Sequence, residues 1–95
     1  MFLPMTAAQN SKAQEIGERI VAARKRKGMS QVKLAEAMAA RSGLDPESVR
    51  RSLGNNERGK FAPRLRTIQV IAEITEQPLD WFLGNVDDAP FRDAA

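Results

Sequence analysis

The chain has 95 residues, 42% of them hydrophobic and 28% charged, which suits one small globular domain and leaves no room for a catalytic module beside a binding module. It contains no cysteine, histidine or tyrosine, which removes disulfides, thiolate and imidazole metal sites, thiol catalysis and the usual base of hydrolase triads. Its charge is uneven: residues 1–66 carry 14 Lys and Arg against 6 Asp and Glu, and residues 67–95 carry 1 against 6, so a basic body with an acidic end is expected to face a polyanion.

Residues 1–10 read as an N-terminal arm. Met1–Met5 is apolar but too short for a signal segment and is interrupted by Pro4. No run approaches the ~18–20 apolar residues of a membrane span, and a cytoplasmic location without membrane association is expected. Period-2 alternation never persists, whereas helical spacing recurs, so the chain is predicted to be all-α. The first helix is predicted to start near Ser11, where Ser11 and Gln14 have capping-box spacing, with Thr6 and Gln9 offering the same form a turn earlier. Ile16, Ile20 and Ala23 share its inner face. Lys25, Arg26 and Lys27 suit its carboxyl end, and Gly28 the left-handed residue after it.

Ser30 is a predicted N-cap for a second helix, with Leu34, Ala35 and Met38 inward and Ser42-Gly43 ending it. Asp45-Pro46 opens a third, because proline at the first helical position gives up only an amide that has no partner there. Val49 and Leu53 form a narrow apolar seam on that helix, and Gly54-Asn55-Asn56 is predicted to end it. Glu47, Ser48, Arg50, Arg51 and Ser52 point elsewhere, so the helix is either a solvated surface element or one that reads a ligand. A fourth helix from Pro63 turns Leu65, Ile68, Ile71 and Ala72 inward. A short fifth carries Leu79, Trp81, Phe82 and Leu83 as core, and residues 85–95 form an acidic tail.

The order of these features resembles the helix-turn-helix DNA-binding domains of phage lambda repressor, Cro and their relatives. The residues that carry the resemblance are Ile16-Gly17-Glu18-Arg19-Ile20 with Arg24 and Gly28, Met29-Ser30-Gln31, Leu34-Ala35, and Gly43-Leu44-Asp45-Pro46 with Val49 and Leu53. Pro63, Ile68, Ile71-Ala72 and Leu79-Asp80-Trp81-Phe82-Leu83-Gly84 complete it over about residues 15 to 84. The resemblance implies a compact five-helix bundle at 11–84, its third helix entering the major groove while the second lies across it.

Gln31 then falls at a phosphate contact, and Glu47, Ser48 and Arg51 fall at base-reading places, with Arg50 beside them. Arginine can bind guanine O6 and N7 through two parallel hydrogen bonds, and Glu47 can accept from a cytosine amino group or hold an arginine in position. Asn55, Asn56, Arg58, Lys60 and Arg64 are expected to contact phosphates. The resemblance also implies that Arg24 supports the third helix through a carboxylate, for which Glu57 is the candidate, and that the fifth helix can edge a dimer surface.

Two departures from the family pattern matter. Gly43 follows Ala35 by eight positions, four more than in the compact motif; four residues are near one helical turn and rotate the apolar face by only ~40°, so a longer second helix is expected. Glu57-Arg58-Gly59-Lys60 resembles the end of the third helix in many relatives, but that register puts Asn56 in the core, where its amide would need a partner. The register through Val49 is therefore preferred. The alternative moves base contacts to Arg50, Arg51, Ser52 and Asn55, and Arg50 and Arg51 stay at the DNA in both.

The function expected is a sequence-specific double-stranded DNA-binding transcriptional regulator, a repressor acting as a homodimer on a pseudo-palindromic operator. The alternatives are an antitoxin that represses its own operon and masks a toxin, and a helical protein-interaction module without DNA binding. RNA binding would call for an exposed aromatic platform, which is not evident. No acid–base pair, nucleophile–base pair or phosphate-cradling glycine loop is present, so no enzyme activity, cofactor, metal or small-molecule ligand is expected.

Overall fold

A computed structural model of the chain describes the backbone of residues 3–84 and the side chains of residues 12–84. Five helices and no strand occur among them: α1 Leu3–Arg26, α2 Gln31–Ser42, α3 Pro46–Glu57, α4 Leu65–Thr75 and α5 Leu79–Phe82. Local chemistry accounts for most of the boundaries. Gly28 (φ 72°) and Gly43 (φ 72°) take the left-handed conformation after α1 and α2, which costs glycine nothing sterically. Ser30 Oγ accepts from the Lys33 amide at 3.1 Å, and Asp45 Oδ2 from the Ser48 amide at 2.9 Å, each satisfying a donor that the first helical turn leaves open. The eight-residue spacing from Ala35 to Gly43 is helical throughout.

The core takes Ile16, Ile20 and Ala23 from α1, Leu34, Ala35 and Met38 from α2, and Leu53 from α3. Ile68, Ile71 and Ala72 of α4 and Trp81 and Phe82 of α5 close it. The Trp81 and Phe82 rings meet edge to face with centroids 4.9 Å apart. Each large side chain buried this way contributes ~1.5–3 kcal/mol. α3 lies against both α1 and α2, and α4 packs on α2, α5 and α1. The approach of α3 to α1 depends on a missing side chain. A Cβ on Gly17 would collide with the Asn56 carbonyl oxygen and stand 2.7 Å from that of Glu57.

The structure corrects three of the sequence expectations. α1 begins at Leu3 rather than near Ser11. Pro4 falls in the first turn, where a missing amide is tolerated, and the backbone of the stretch set aside as an arm is helical from that point; its side chains, and the tail at 85–95, lie outside the described residues. Leu65 is 54% exposed rather than inward, because it is the first residue of α4 and the inner face starts at Ile68.

The third correction concerns α3, which runs through Gly54-Asn55-Asn56 to Glu57. Its end is closed by the Gly59 amide donating to Asn56 O at 3.1 Å and the Lys60 amide to Asn55 O at 2.9 Å. Asn56 is buried, 8% exposed, and its Nδ2 donates to Phe61 O at 2.9 Å. Burial of this amide is therefore compensated, and it ties the following loop to the helix. The register that places Leu53 and Asn56 inward is the one observed, with Val49 half-buried at its edge.

Candidate nucleic-acid interface

α3 divides into an open first half and a clamped second half. In the first half Glu47, Ser48, Arg51 and Ser52 are exposed and Arg50 is half-buried. Glu47 and Arg50 face each other one turn apart, Arg50 Nη2 donating to Glu47 Oε2 at 2.7 Å. That hydrogen bond, and then the charge of Arg50 with a smaller contribution from Arg51, holds the Glu47 carboxyl below its ordinary range. The same bond raises the Arg50 guanidinium above its usual value. Arg51 makes no hydrogen bond or ion pair among the described residues, and all five of its N–H donors remain available.

The second half is held by an ion pair that reaches across the molecule. Arg24 of α1 donates through Nε to Glu57 Oε2 at 2.7 Å and through Nη2 to Oε1 at 3.0 Å. The two side chains are only 13% and 6% exposed. The Glu57 hydrogen bond, opposed by burial, raises the Arg24 pKa. Gln31, the first residue of α2, donates through Nε2 to the same Glu57 Oε1 at 3.0 Å. One carboxylate thus fixes the end of α3 to both preceding helices. Gly54 is buried beside it, where a Cβ would stand at ordinary contact distance, 3.4 Å from Arg58 Nη1 and 3.8 Å from Gln31 Nε2.

Beyond the clamp, Asn55 is half-buried and its Oδ1 accepts from the exposed Arg58 Nη2 at 2.7 Å. Lys60 follows in the loop, its Nζ 5.6 Å from the centroid of the Phe61 ring, which is 57% exposed. Arg64 is exposed just before α4 and, with Ser48, lines an open groove of about 660 Å³ between the end of α2, α3 and the start of α4. Met38, Leu44, Val49 and Val70 supply its apolar walls.

The structure therefore brings Glu47, Arg50 and Arg51 together on the open half of α3, and Gln31, Asn55 and Arg58 around its far end. Ser48 and Arg64 both line the groove. The expected phosphate contact of Asn56 is withdrawn, because its side chain is buried and committed to Phe61 O; in this register the base-reading candidates are Arg50, Arg51, Ser52 and Asn55, and Glu47 and Ser48 precede them on the helix. Lys25 and Arg26 are exposed beyond the clamp, and Lys27 pairs with Glu76 at 3.0 Å. Glu57 is the carboxylate expected to receive Arg24, and it does so, while its bond to Gln31 and the burial of Gly54 were not anticipated. The signal for both was the Glu57-Arg58-Gly59-Lys60 ending: read as a helix terminus, it places Leu53 and Asn56 inward, Gly54 against α2 and Asn55 outward.

Among the described residues no group of three acidic, histidine or cysteine side chains is arranged to hold a metal ion. No helix among them is long and apolar enough to cross a membrane. Comparison with protein-family models, with curated proteins and with solved structures finds no match to this chain.

Proposed function

We propose that the chain is a sequence-specific double-stranded DNA-binding transcriptional regulator, with α2 and α3 as its helix-turn-helix and α3 as the element that enters the major groove. The observation that carries this reading is the outward side of α3. It presents Arg50 and Arg51 on a helix whose inner side is locked to the body through Leu53, Asn56 and Glu57. A major groove about 12 Å wide admits one helix, and guanidinium groups match the acceptor pair of guanine. Arg58, Lys60 and Arg64 follow α3 and are suited to backbone phosphates, which hold register without reading sequence. Gln31 keeps its second N–H and its carbonyl oxygen free for the same task, since only one N–H is used on Glu57.

A single domain of this size makes few contacts, and two copies on a pseudo-palindrome with half-sites about 34 Å apart would supply operator-level affinity. Such a dimer acts by occupancy, as a repressor that excludes polymerase from the site it covers. Selection of binding sites from random duplexes with the purified protein tests the reading directly. A palindromic consensus, with affinity falling steeply as salt rises, is the expected result. Failure to enrich any sequence would overturn it in favour of a helical protein-interaction module.

A further inference from the structure

The two adjacent arginines of α3 are not equivalent. Arg50 is bonded to Glu47 on the surface, its side chain 41% exposed, whereas Arg51 is exposed with no bonded partner among the described residues. Glu47 is itself well placed to act as a support. It lies in the first turn, where the Asp45 cap fixes the backbone through the Ser48 amide, and a negative charge there is favoured by the helix dipole. The Glu47–Arg50 contact uses one Nη2 donor, so four of the five N–H groups of Arg50 stay free, enough for a two-bond fork. A guanidinium already restrained on one side loses less freedom when it meets a base, and bidentate recognition depends on that restraint.

Resting on the DNA-binding reading, we propose that Glu47 is a positioning residue that makes Arg50 the guanine reader of each half-site, presenting its free donors to O6 and N7, while Arg51 contributes attraction with weaker choice of base. The low carboxyl pKa of Glu47 agrees with a support that stays ionised throughout the physiological range.

The test uses the purified full chain and the consensus duplex that it selects. Binding is measured for the wild type and for Glu47→Ala, Glu47→Gln, Arg50→Ala and Arg51→Ala, on the consensus and on duplexes in which single guanines are changed to adenine or 7-deazaguanine. Circular dichroism verifies that each variant is folded. At one guanine position, Arg50→Ala and Glu47→Ala are expected to reduce the preference for guanine by ~10-fold or more, with the double variant no worse than Arg50→Ala. Glu47→Gln, which keeps an accepting oxygen, is expected to retain part of that preference, and Arg51→Ala to leave it in place. Retention of full guanine preference by Glu47→Ala would overturn the proposal, as would a loss at that position caused by Arg51→Ala and not by Arg50→Ala. If the wild type selects no duplex at all, the DNA-binding reading falls and takes the proposal with it. Selection without dependence on Glu47 removes the proposal alone.

Discussion

α3 takes part in two arginine–glutamate pairs of similar length and opposite setting. At its far end, Glu57 accepts two hydrogen bonds from Arg24 of α1 where the side chains are 6% and 13% exposed, and the pair joins residues 33 apart in the chain, while a third Arg24 bond goes to Met29 O. At its near end, Glu47 meets Arg50 across a single turn, with the two side chains 61% and 41% exposed. The buried pair is costly to desolvate and costly to break, so its value lies in fixing where α3 sits. The exposed pair adds little to stability, because solvent screens it, and its value lies in the direction it gives one guanidinium. The same two residue types thus do structural work at one end of a helix and leave a surface adjustable at the other.

The largest effect is expected from breaking the buried pair. Glu57→Ala leaves Arg24 charged, mostly buried and without its carboxylate, and releases Gln31 as well. Removing one partner of such a pair costs about 3–5 kcal/mol, much of the stability that a domain of this size has. Thermal or urea unfolding should show this directly. An unchanged melting temperature would mean that the clamp does not hold α3.

Gly17→Ala tests the same end of α3 without touching a charge. Its new methyl group must displace the carbonyls of Asn56 and Glu57, which are backbone atoms of the packed helix. Overpacking of this kind costs about 1–3 kcal/mol. Alanine would otherwise be the better helix former, so destabilisation would show that the spacing between α1 and α3 sets the outcome. Stabilisation would show that α3 can move away freely.

Beyond the far end of α3, Lys60→Ala should leave folding nearly unchanged. The Lys60 side chain is exposed, with its ammonium over the Phe61 ring. If Lys60 meets a phosphate, affinity should fall on specific and random duplexes alike, and the slope of log affinity against log salt should flatten by about 0.9. A loss confined to one sequence would instead place Lys60 among the base-reading groups.

The contrast between the two ends also explains what could be read in the sequence. Ser30, Asp45-Pro46, Gly28 and Gly43 act on their own few residues, so their roles follow from residue type and spacing, as do the helical periods that place Ile20, Leu34 and Ile71 inside. Arg50 and Arg51 were legible as outward residues because either register of α3 keeps them there. Asn56 was not, since a lone asparagine on an inner face reads as an unsatisfied amide until the path of the loop brings Phe61 O to it. Gly54 reads as a helix breaker until α2 lies against it, and Gly17 gives no local sign of the carbonyls it must admit. The start of α1 was hidden for a different reason: two capping signals compete at Thr6 and Ser11, and the helix begins before both.

The smallest effect concerns the exposed pair as acid is added. Glu47 is held below its ordinary pKa of 4.5 by Arg50, chiefly through the hydrogen bond. A carboxyl that is depressed in the folded chain contributes stability that is present above the unfolded value and is lost as pH falls through the folded one. Stability from this pair should therefore persist at neutral pH and fade only in acid below the ordinary carboxylate range, while Arg50, whose own pKa is raised, stays charged throughout. A carboxyl carbon NMR titration of Glu47 should give a midpoint below 4.5 in the wild type. In Arg50→Ala the midpoint should rise to the ordinary value or beyond, because burial, which raises it, outweighs the remaining attraction of Arg51, and Asp45 raises it further. A wild-type midpoint at the ordinary value would mean that the two side chains do not stay together in solution, and that the near end of α3 offers two equally loose arginines rather than one held and one free.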